Sequence, residues 1–224
     1  MGLILPMLFL GLMASLSPAT IVVFVLVLGT ARARVNAIGF LLGWGISLTI
    51  VFAGSYALAT SDAGQRDESR TAISVGEVLL GLALLVLAAR LWRRRGVAAP
   101  TPAPGPTGWG SERLMGRMQT LSPVGAVVVG VLKQPWAITT AAALVVVHDH
   151  KAGIVVVLAF VAFTVASTAT VALMFLYYAR YPGEAQAQLS VLRDRVVAAG
   201  PAMGAAVAVL VGVFLVAKGL LGLT

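Results

Sequence analysis

Six long runs of apolar residues dominate this 224-residue sequence and restrict what it can fold into. They cover residues 2–30, 35–59, 73–91, 122–147, 153–178 and 200–223. About 20 mainly apolar residues are enough for an α-helix to cross the hydrocarbon core of a bilayer. Only 11% of the side chains are charged, whereas roughly 25% are charged in an average soluble domain. The runs therefore predict an all-α integral membrane protein with six transmembrane helices.

The same composition excludes several classes of function. Six spans leave no room for a separate soluble catalytic domain, so any chemistry has to occur within or beside the bilayer. The absence of cysteine excludes a disulfide framework, a thiolate metal site and a thiol-disulfide electron relay. No nucleotide-binding or hydrolase motif occurs, so we expect neither an enzyme nor a cofactor. The net charge of +8 comes from basic residues that flank apolar runs, where they contact membrane lipids, and we expect no nucleic-acid partner.

The basic residues also predict the orientation of the chain. With six spans, the connections after the first, third and fifth share one side of the membrane. That side carries eleven arginines: Arg32, Arg34, Arg90, Arg93, Arg94, Arg95, Arg113, Arg117, Arg180, Arg193 and Arg195. The opposite side carries only Arg66, Arg70, Lys151 and Lys218. The positive-inside rule then predicts a multi-pass protein of the plasma (inner) membrane with both termini outside. The first run has no Lys or Arg before it, so we expect it to be a retained helix.

A proline-rich segment divides the chain into two halves. Residues 93–117 contain the sequence APTPAPGPTG, which is typical of an extended, weakly ordered linker on the cytoplasmic side. Residues 1–92 and 118–224 then hold three spans each. Later in the chain, residues 184–197 place Leu189, Leu192 and Val196 on one helical face. This segment predicts either a helix along the cytoplasmic interface or a solvated linker helix.

The two halves resemble each other when they are offset by 117 residues. The offset pairs Pro18 with Pro135 and Arg34 with Lys151, so each half has a proline inside its first apolar run and a charged turn after it. Repeats with an odd number of spans must lie in the membrane with opposite orientations. We therefore predict two inverted three-helix repeats in which helices 1 and 4 are broken. The alternative is a coincidence of two hydrophobic triplets.

The two prolines define the candidate site. Ser17 before Pro18 is typical of an N-cap followed by proline at the first helical position, and Gln134 before Pro135 offers the same arrangement. Two half-helix N-termini that meet inside the membrane would suit a phosphate, sulfate or carboxylate. The predicted substrate-binding residues are Ser17, Pro18, Thr20, Lys133, Gln134, Pro135, Thr139 and Thr140. The alternative is that the prolines only kink two helices to improve packing.

Two ionisable residues add to this prediction. Lys133 lies inside the fourth run, where a charge costs roughly 2.5 to 3.5 kcal/mol on insertion scales. It therefore either binds an anion beside the broken helix or snorkels to the cytoplasmic surface. Glu77 borders the third run and is a candidate for coupling transport to protons, or an ordinary interfacial acid. His148, Asp149 and His150 form a turn with too few ligands for a strong metal site, so we expect no metal.

The pattern as a whole resembles the lysine-exporter superfamily, and most closely its sulfolipid- or glycopeptidolipid-addressing protein family. The resemblance rests on the Ser-Pro break, on LVLGTARARVNAIGFLLGWGISL after it, and on the second proline break. It implies that the positions of the family's two motifs correspond here to Ser17, Pro18, Gln134 and Pro135. The family's second motif has Asn-Pro followed by a lysine, whereas here Gln134 replaces the Asn and Lys133 precedes the pair.

The resemblance implies movement of amphipathic lipids to the cell surface. We therefore predict a membrane transporter that exports or translocates an anionic lipid or another amphipathic anion towards the cell envelope. Two alternatives stay open: an amino-acid exporter with the substrate carboxylate at the same helix ends, and a non-transporting scaffold for a lipid-synthesis complex. A homodimer is an open alternative for the assembly.

Overall fold

The computed structural model describes residues 2–61, 67–93, 120–149 and 153–223. Within these ranges all regular secondary structure is helical. The helices are α1 Ile4–Ser15, α2 Pro18–Leu28, α3 Ala33–Thr60, α4 Asp67–Arg93, α5 Pro123–Lys133, α6 Trp136–His148, α7 Ile154–Arg180 and α8 Pro182–Leu223. Residues 94–117 of the predicted linker lie outside the described residues, as do His150 and Lys151.

Four of these helices, α3, α4, α7 and α8, are long and apolar enough to cross a membrane. The short helices form two pairs, α1 with α2 and α5 with α6, and each pair meets the same criteria when it is taken together. Each pair is bent by 57° at its break. The described part of the chain therefore has four to six candidate spans, which confirms an all-helical, multi-pass membrane protein. The bends lie in the first and fourth apolar runs, where the prolines predicted them.

The outer surface of the helices is apolar, as lipid contact requires. Leu5, Leu58 and Val124 are each more than 70% exposed, and such side chains would be unfavourable in water. The core between the helices is filled by large side chains, among which Trp44 and Phe40 are completely buried and stacked on each other.

Glycines set the closest contacts between helices. Helix α3 packs on α5 through Gly43 and Gly130, where an added Cβ atom would collide with the main chain of the other helix. Helix α1 packs on α7 through Gly11, whose added Cβ would lie 2.7 Å from the Phe163 carbonyl oxygen. Helices α4 and α8 form the third extensive contact. Small residues of this kind let helix backbones approach closely in membranes.

Helix α8 extends the sixth apolar run well beyond its predicted start. It has 42 residues and keeps Pro201 inside it, so residues 184–197 continue directly into the last span. Leu189 and Val196 are each 5% exposed and belong to the protein core, while Leu192 is 37% exposed. Both sequence interpretations of this segment were therefore incomplete. Its apolar face packs into the protein core, and α8 as a whole contacts α2.

Candidate functional site

The first break separates α1 from α2 at Leu16 and Ser17. Ser17 has an extended backbone with φ −62° and ψ 114°, and Pro18 is the first residue of α2. This confirms Ser17 as the N-cap position and Pro18 as the first helical residue. The Ser17 side chain makes no capping hydrogen bond, and it is half-buried. Its hydroxyl therefore remains available to a ligand.

The second break differs from the prediction by one residue. Gln134 is the C-cap of α5, and Pro135 is the N-cap of α6, which begins at Trp136. The expectation that Pro135 would be the first helical residue is therefore wrong. The physical reason is that the Pro135 carbonyl already accepts hydrogen bonds from the Ile138 amide at 3.0 Å and the Thr139 amide at 3.3 Å. These bonds give Pro135 the role of a cap.

The two breaks meet in the folded chain. Thr20, in the first turn of α2, donates a hydrogen bond from its hydroxyl to the Lys133 carbonyl oxygen at 3.1 Å. Thr20 is 1% exposed, and Lys133 is the last residue of α5. The contact thus joins the N-terminal turn of α2 to the last carbonyl of α5, two residues before the N-cap of α6. Opposite partial charges at the two helix ends favour this arrangement.

Lys133 carries its charge at this junction. It is the eleventh and last residue of α5 and is half-buried. A cation in the last turn of a helix is stabilised by the unpaired carbonyls at that end. The Lys133 side chain therefore has a structural reason to lie at the break.

Three other predicted site residues use their polar groups within the protein. Gln134 is 4% exposed and donates from its Nε2 atom to the Thr139 hydroxyl across the break. Ser55 donates to the Thr140 hydroxyl at 3.3 Å. The Thr139 and Thr140 hydroxyl oxygens therefore accept hydrogen bonds from within the protein. The Oε1 atom of Gln134 is buried and has no hydrogen-bond partner within the described part of the chain.

Two buried serines, which the sequence interpretation did not single out, fix the breaks to the long helices. Ser15, the last residue of α1, contacts Thr170 near the middle of α7, and the Thr170 amide donates to it at 3.0 Å. Ser47, near the middle of α3, donates to the Val131 carbonyl at 3.3 Å and accepts from the Trp136 indole at 3.1 Å. A small hydroxyl residue in the middle of an apolar run is the signal that points to such positions.

An open apolar groove lies on α3 at the level of the second break. Its volume is about 430 Å³. It is lined by Leu41, Leu42, Gly45, Ile46, Thr49 and Ile50, which surround Ser47 in sequence. All six residues belong to one helix, so the groove is a shallow depression in the outer surface of α3.

Glu77 belongs to a separate polar cluster. Its Oε2 atom lies 3.6 Å from Nδ1 of His148, and the Lys218 ammonium lies 2.7 Å from the Asp149 carboxylate. His148 ends α6, whose 13 residues begin at the second break. At 1.5 Å per residue the cluster is about 18 Å from the break along α6. The structure does not bring Glu77 to Lys133. The described residues contain no group of three or more metal-ligating side chains.

The fold and the broken helices define a class: a multi-pass membrane protein whose two discontinuous helices meet at a buried polar junction. The family described as Sap, sulfolipid-1-addressing protein, matches residues 7–221. The chain belongs to this family. No curated protein and no solved structure matches the chain significantly. The family description agrees with a role in lipid handling by a membrane protein.

Proposed function

We propose that the chain is a membrane transporter that moves an anionic lipid towards the cell envelope, with the lipid headgroup bound at the two helix breaks. The observation that carries the proposal is the junction of the breaks, where Thr20 binds the carbonyl of Lys133. Discontinuous helices that meet inside a membrane are the usual binding sites of secondary transporters. In this proposal the chain is a distant relative of the lysine exporters.

Helix packing supports an inverted repeat. Exchanging the two halves maps α1, α2, α3 and α4 onto α5, α6, α7 and α8. The contact of α3 with α5 then becomes the contact of α7 with α1, and the contact of α4 with α8 maps onto itself. These are the three most extensive helix contacts, and the two bends are equal at 57°. Both termini lie outside in this arrangement, and the arginine-rich side is cytoplasmic.

The headgroup site combines one cation with two polar groups. We assign the contact with the anionic group to the Lys133 ammonium and the Ser17 hydroxyl, beside the unpaired amides at the start of α2. Gln134 follows Lys133 at the break, but its unpaired Oε1 atom is an acceptor, so we assign it no contact with the anion. Thr20 holds the backbone at the end of α5, Thr139 and Thr140 bond to the side chains of Gln134 and Ser55, and Pro18 and Pro135 create the breaks.

The groove on α3 favours a lipid over an amino acid. Its lining is almost entirely apolar and it opens on the lipid-facing side of the helix, where Leu42, Ile46 and Ile50 are exposed. An acyl chain in this groove would remain in hydrocarbon while its headgroup occupied the break. A free amino acid would instead need a closed, polar pocket around its second charged group.

Thermal unfolding of the purified protein with added ligands tests the proposal. The probes are a sulfated glycolipid and an anionic lysophospholipid, with free lysine for comparison. A ligand at a hundred times its dissociation constant stabilises the folded state by about 2.7 kcal/mol, which raises Tm by about 5 to 10 °C in a chain of this size. We expect this rise for the anionic amphipaths and not for lysine.

Charge variants make the test specific. Lys133→Met should abolish the rise because it removes the ammonium and keeps the stem, whereas Lys133→Arg should keep part of it. Lys151→Met is the matched control and should behave as the native protein. A rise with lysine but with no anionic amphipath would favour the amino-acid exporter. No rise with either would favour the scaffold.

A further inference from the structure

A cluster of four ionisable side chains joins three helices at the C-terminal end of α6. His148 is the last residue of α6 and Asp149 is its C-cap. Glu77 reaches them from α4, and Lys218 reaches them from α8. The end of α6 is thus held on one side by Glu77 and on the other by Lys218. No part of this cluster belongs to the proposed lipid site.

Glu77 is the least satisfied member of the cluster. Its side chain is completely buried, and neither carboxylate oxygen has a hydrogen-bond partner among the described residues. Its closest charge partner, Nδ1 of His148 at 3.6 Å, is beyond good hydrogen-bond distance. A buried carboxylate without hydrogen bonds is strongly unfavourable unless it is protonated or faces a cation.

The charges of the cluster balance when it holds one exchangeable proton. Asp149 and Lys218 cancel each other as an ion pair of 2.7 Å. Glu77 and His148 together are neutral with one proton between them, either as carboxylic acid and imidazole or as carboxylate and imidazolium. Loss of that proton leaves a net charge of −1 among the four side chains, next to the completely buried Glu77, and a second proton leaves +1. Among the described residues, the charged groups facing Glu77 are these three on α6 and α8.

Glu77 is the member of the cluster that is shielded from water. Its side chain is completely buried, whereas the side chains of His148 and Asp149 are each 26% exposed. On the α8 side the packing is tight, because an added Cβ atom at Gly222 would lie 2.5 Å from the Ser74 hydroxyl oxygen and would overlap the His148 ring. Water can therefore reach the Glu77 carboxylate only if the elements packed on it separate, and the partly exposed end of α6 is one of them.

We propose that Glu77 and His148 form a proton-binding site, and that the bound proton keeps the C-terminal end of α6 closed against α4 and α8. The ligand is a single proton, and no covalent chemistry follows its binding. Because α6 begins at the second break, opening of its far end gives the helix a second position. The proposal goes beyond the lipid-transport function and holds whether or not a lipid is moved.

Thiol labelling measures this closure directly, because the native chain has no cysteine. Ser74→Cys places a reporter inside the closed cluster, and Ser61→Cys places a reference at the exposed end of α3. The ratio of the two labelling rates corrects for the chemistry of the thiol itself. Between about pH 5 and about pH 9, a range that contains the ordinary His pKa of about 6.5, we expect the ratio to rise about tenfold as the proton leaves.

Two variants identify the group responsible. Glu77→Gln has a neutral side chain at residue 77 that needs no proton, so the ratio of the two labelling rates should stay low and independent of pH. Glu184→Gln, at an exposed carboxylate at the opposite end of α8, is the matched control and should keep the native pH dependence. A ratio that does not change with pH in the native background, or that changes equally in Glu77→Gln, would overturn the proposal.

Infrared spectroscopy of the native protein, without the reporter cysteine, keeps the proposal testable if Glu77→Gln fails to fold. A protonated carboxyl group absorbs separately from carboxylates, and its band should titrate over the same pH range as the labelling ratio. Absence of any buried carboxylic-acid or imidazolium signal that titrates would contradict proton binding at Glu77 and His148.

Discussion

The hydrogen bond from Thr20 to the Lys133 carbonyl makes the junction of the two breaks open to a quantitative test. Thr20→Val keeps the shape of the side chain and removes the only donor that it offers to α5. The Lys133 carbonyl lies at the end of a helix, where no amide of the next turn can replace the lost donor. Hydrogen bonds between membrane helices average about 0.6 kcal/mol and reach about 1.7 kcal/mol. Because Thr20 is 1% exposed, we expect a loss near the upper value.

Thr49→Val is the matched control for this substitution. The Thr49 hydroxyl also donates to a carbonyl, that of Gly45 at 2.9 Å, but within one helix and on the exposed face of α3. Its loss should change the free energy of unfolding by only a few tenths of a kcal/mol. Reversible unfolding in mixed micelles measures both variants. If Thr20→Val loses no more stability than Thr49→Val, the contact between the breaks is not a stabilising junction.

Two other predictions follow from helix packing and from topology. Gly130→Ala should destabilise the protein by about 1 to 3 kcal/mol because its Cβ would collide with the Phe40 carbonyl. In Gly54→Ala the added Cβ atom has no neighbour within 4 Å, so this variant should be neutral or should stabilise the protein by about 0.5 to 1 kcal/mol. Equal effects of the two substitutions on unfolding in micelles would argue against the glycine contact of α3 with α5. Ala103→Cys should react with a membrane-impermeant thiol reagent only after the cells are opened, and labelling in intact cells would reverse the assigned orientation.

The sequence was sufficient for features that depend on local chain properties. Apolar runs of about 20 residues predict helices because the bilayer satisfies no backbone groups. Pro18 and Pro135 predict breaks because proline removes a helical hydrogen bond. The position of Ser17 as an N-cap follows from the same local chemistry. The start of α6 was misplaced by one residue, and α8 begins well before the predicted sixth run.

Features that depend on contacts between the halves were not predictable in the same way. Glu77 and His148 are 71 residues apart, and nothing in the periodicity of either run indicates that they meet. Ser47 is one of several serines in apolar runs, and only the packing of α3 on α5 gives it Trp136 as a partner. The apolar face at residues 184–197 fits an interface as well as a protein core, and only tertiary packing, which buries Leu189 and Val196, decides between them.

Lipid translocation by the purified protein in liposomes tests the central claim most directly. A fluorescent anionic lipid is placed in the inner leaflet, and its arrival in the outer leaflet is measured with an impermeant quencher. A zwitterionic lipid with the same chains is the comparison. We predict that the native protein moves the anionic lipid faster than the zwitterionic one and that Lys133→Met loses this difference. Movement of neither lipid, or of both at rates that Lys133→Met does not change, would contradict an anionic-lipid site at the helix breaks.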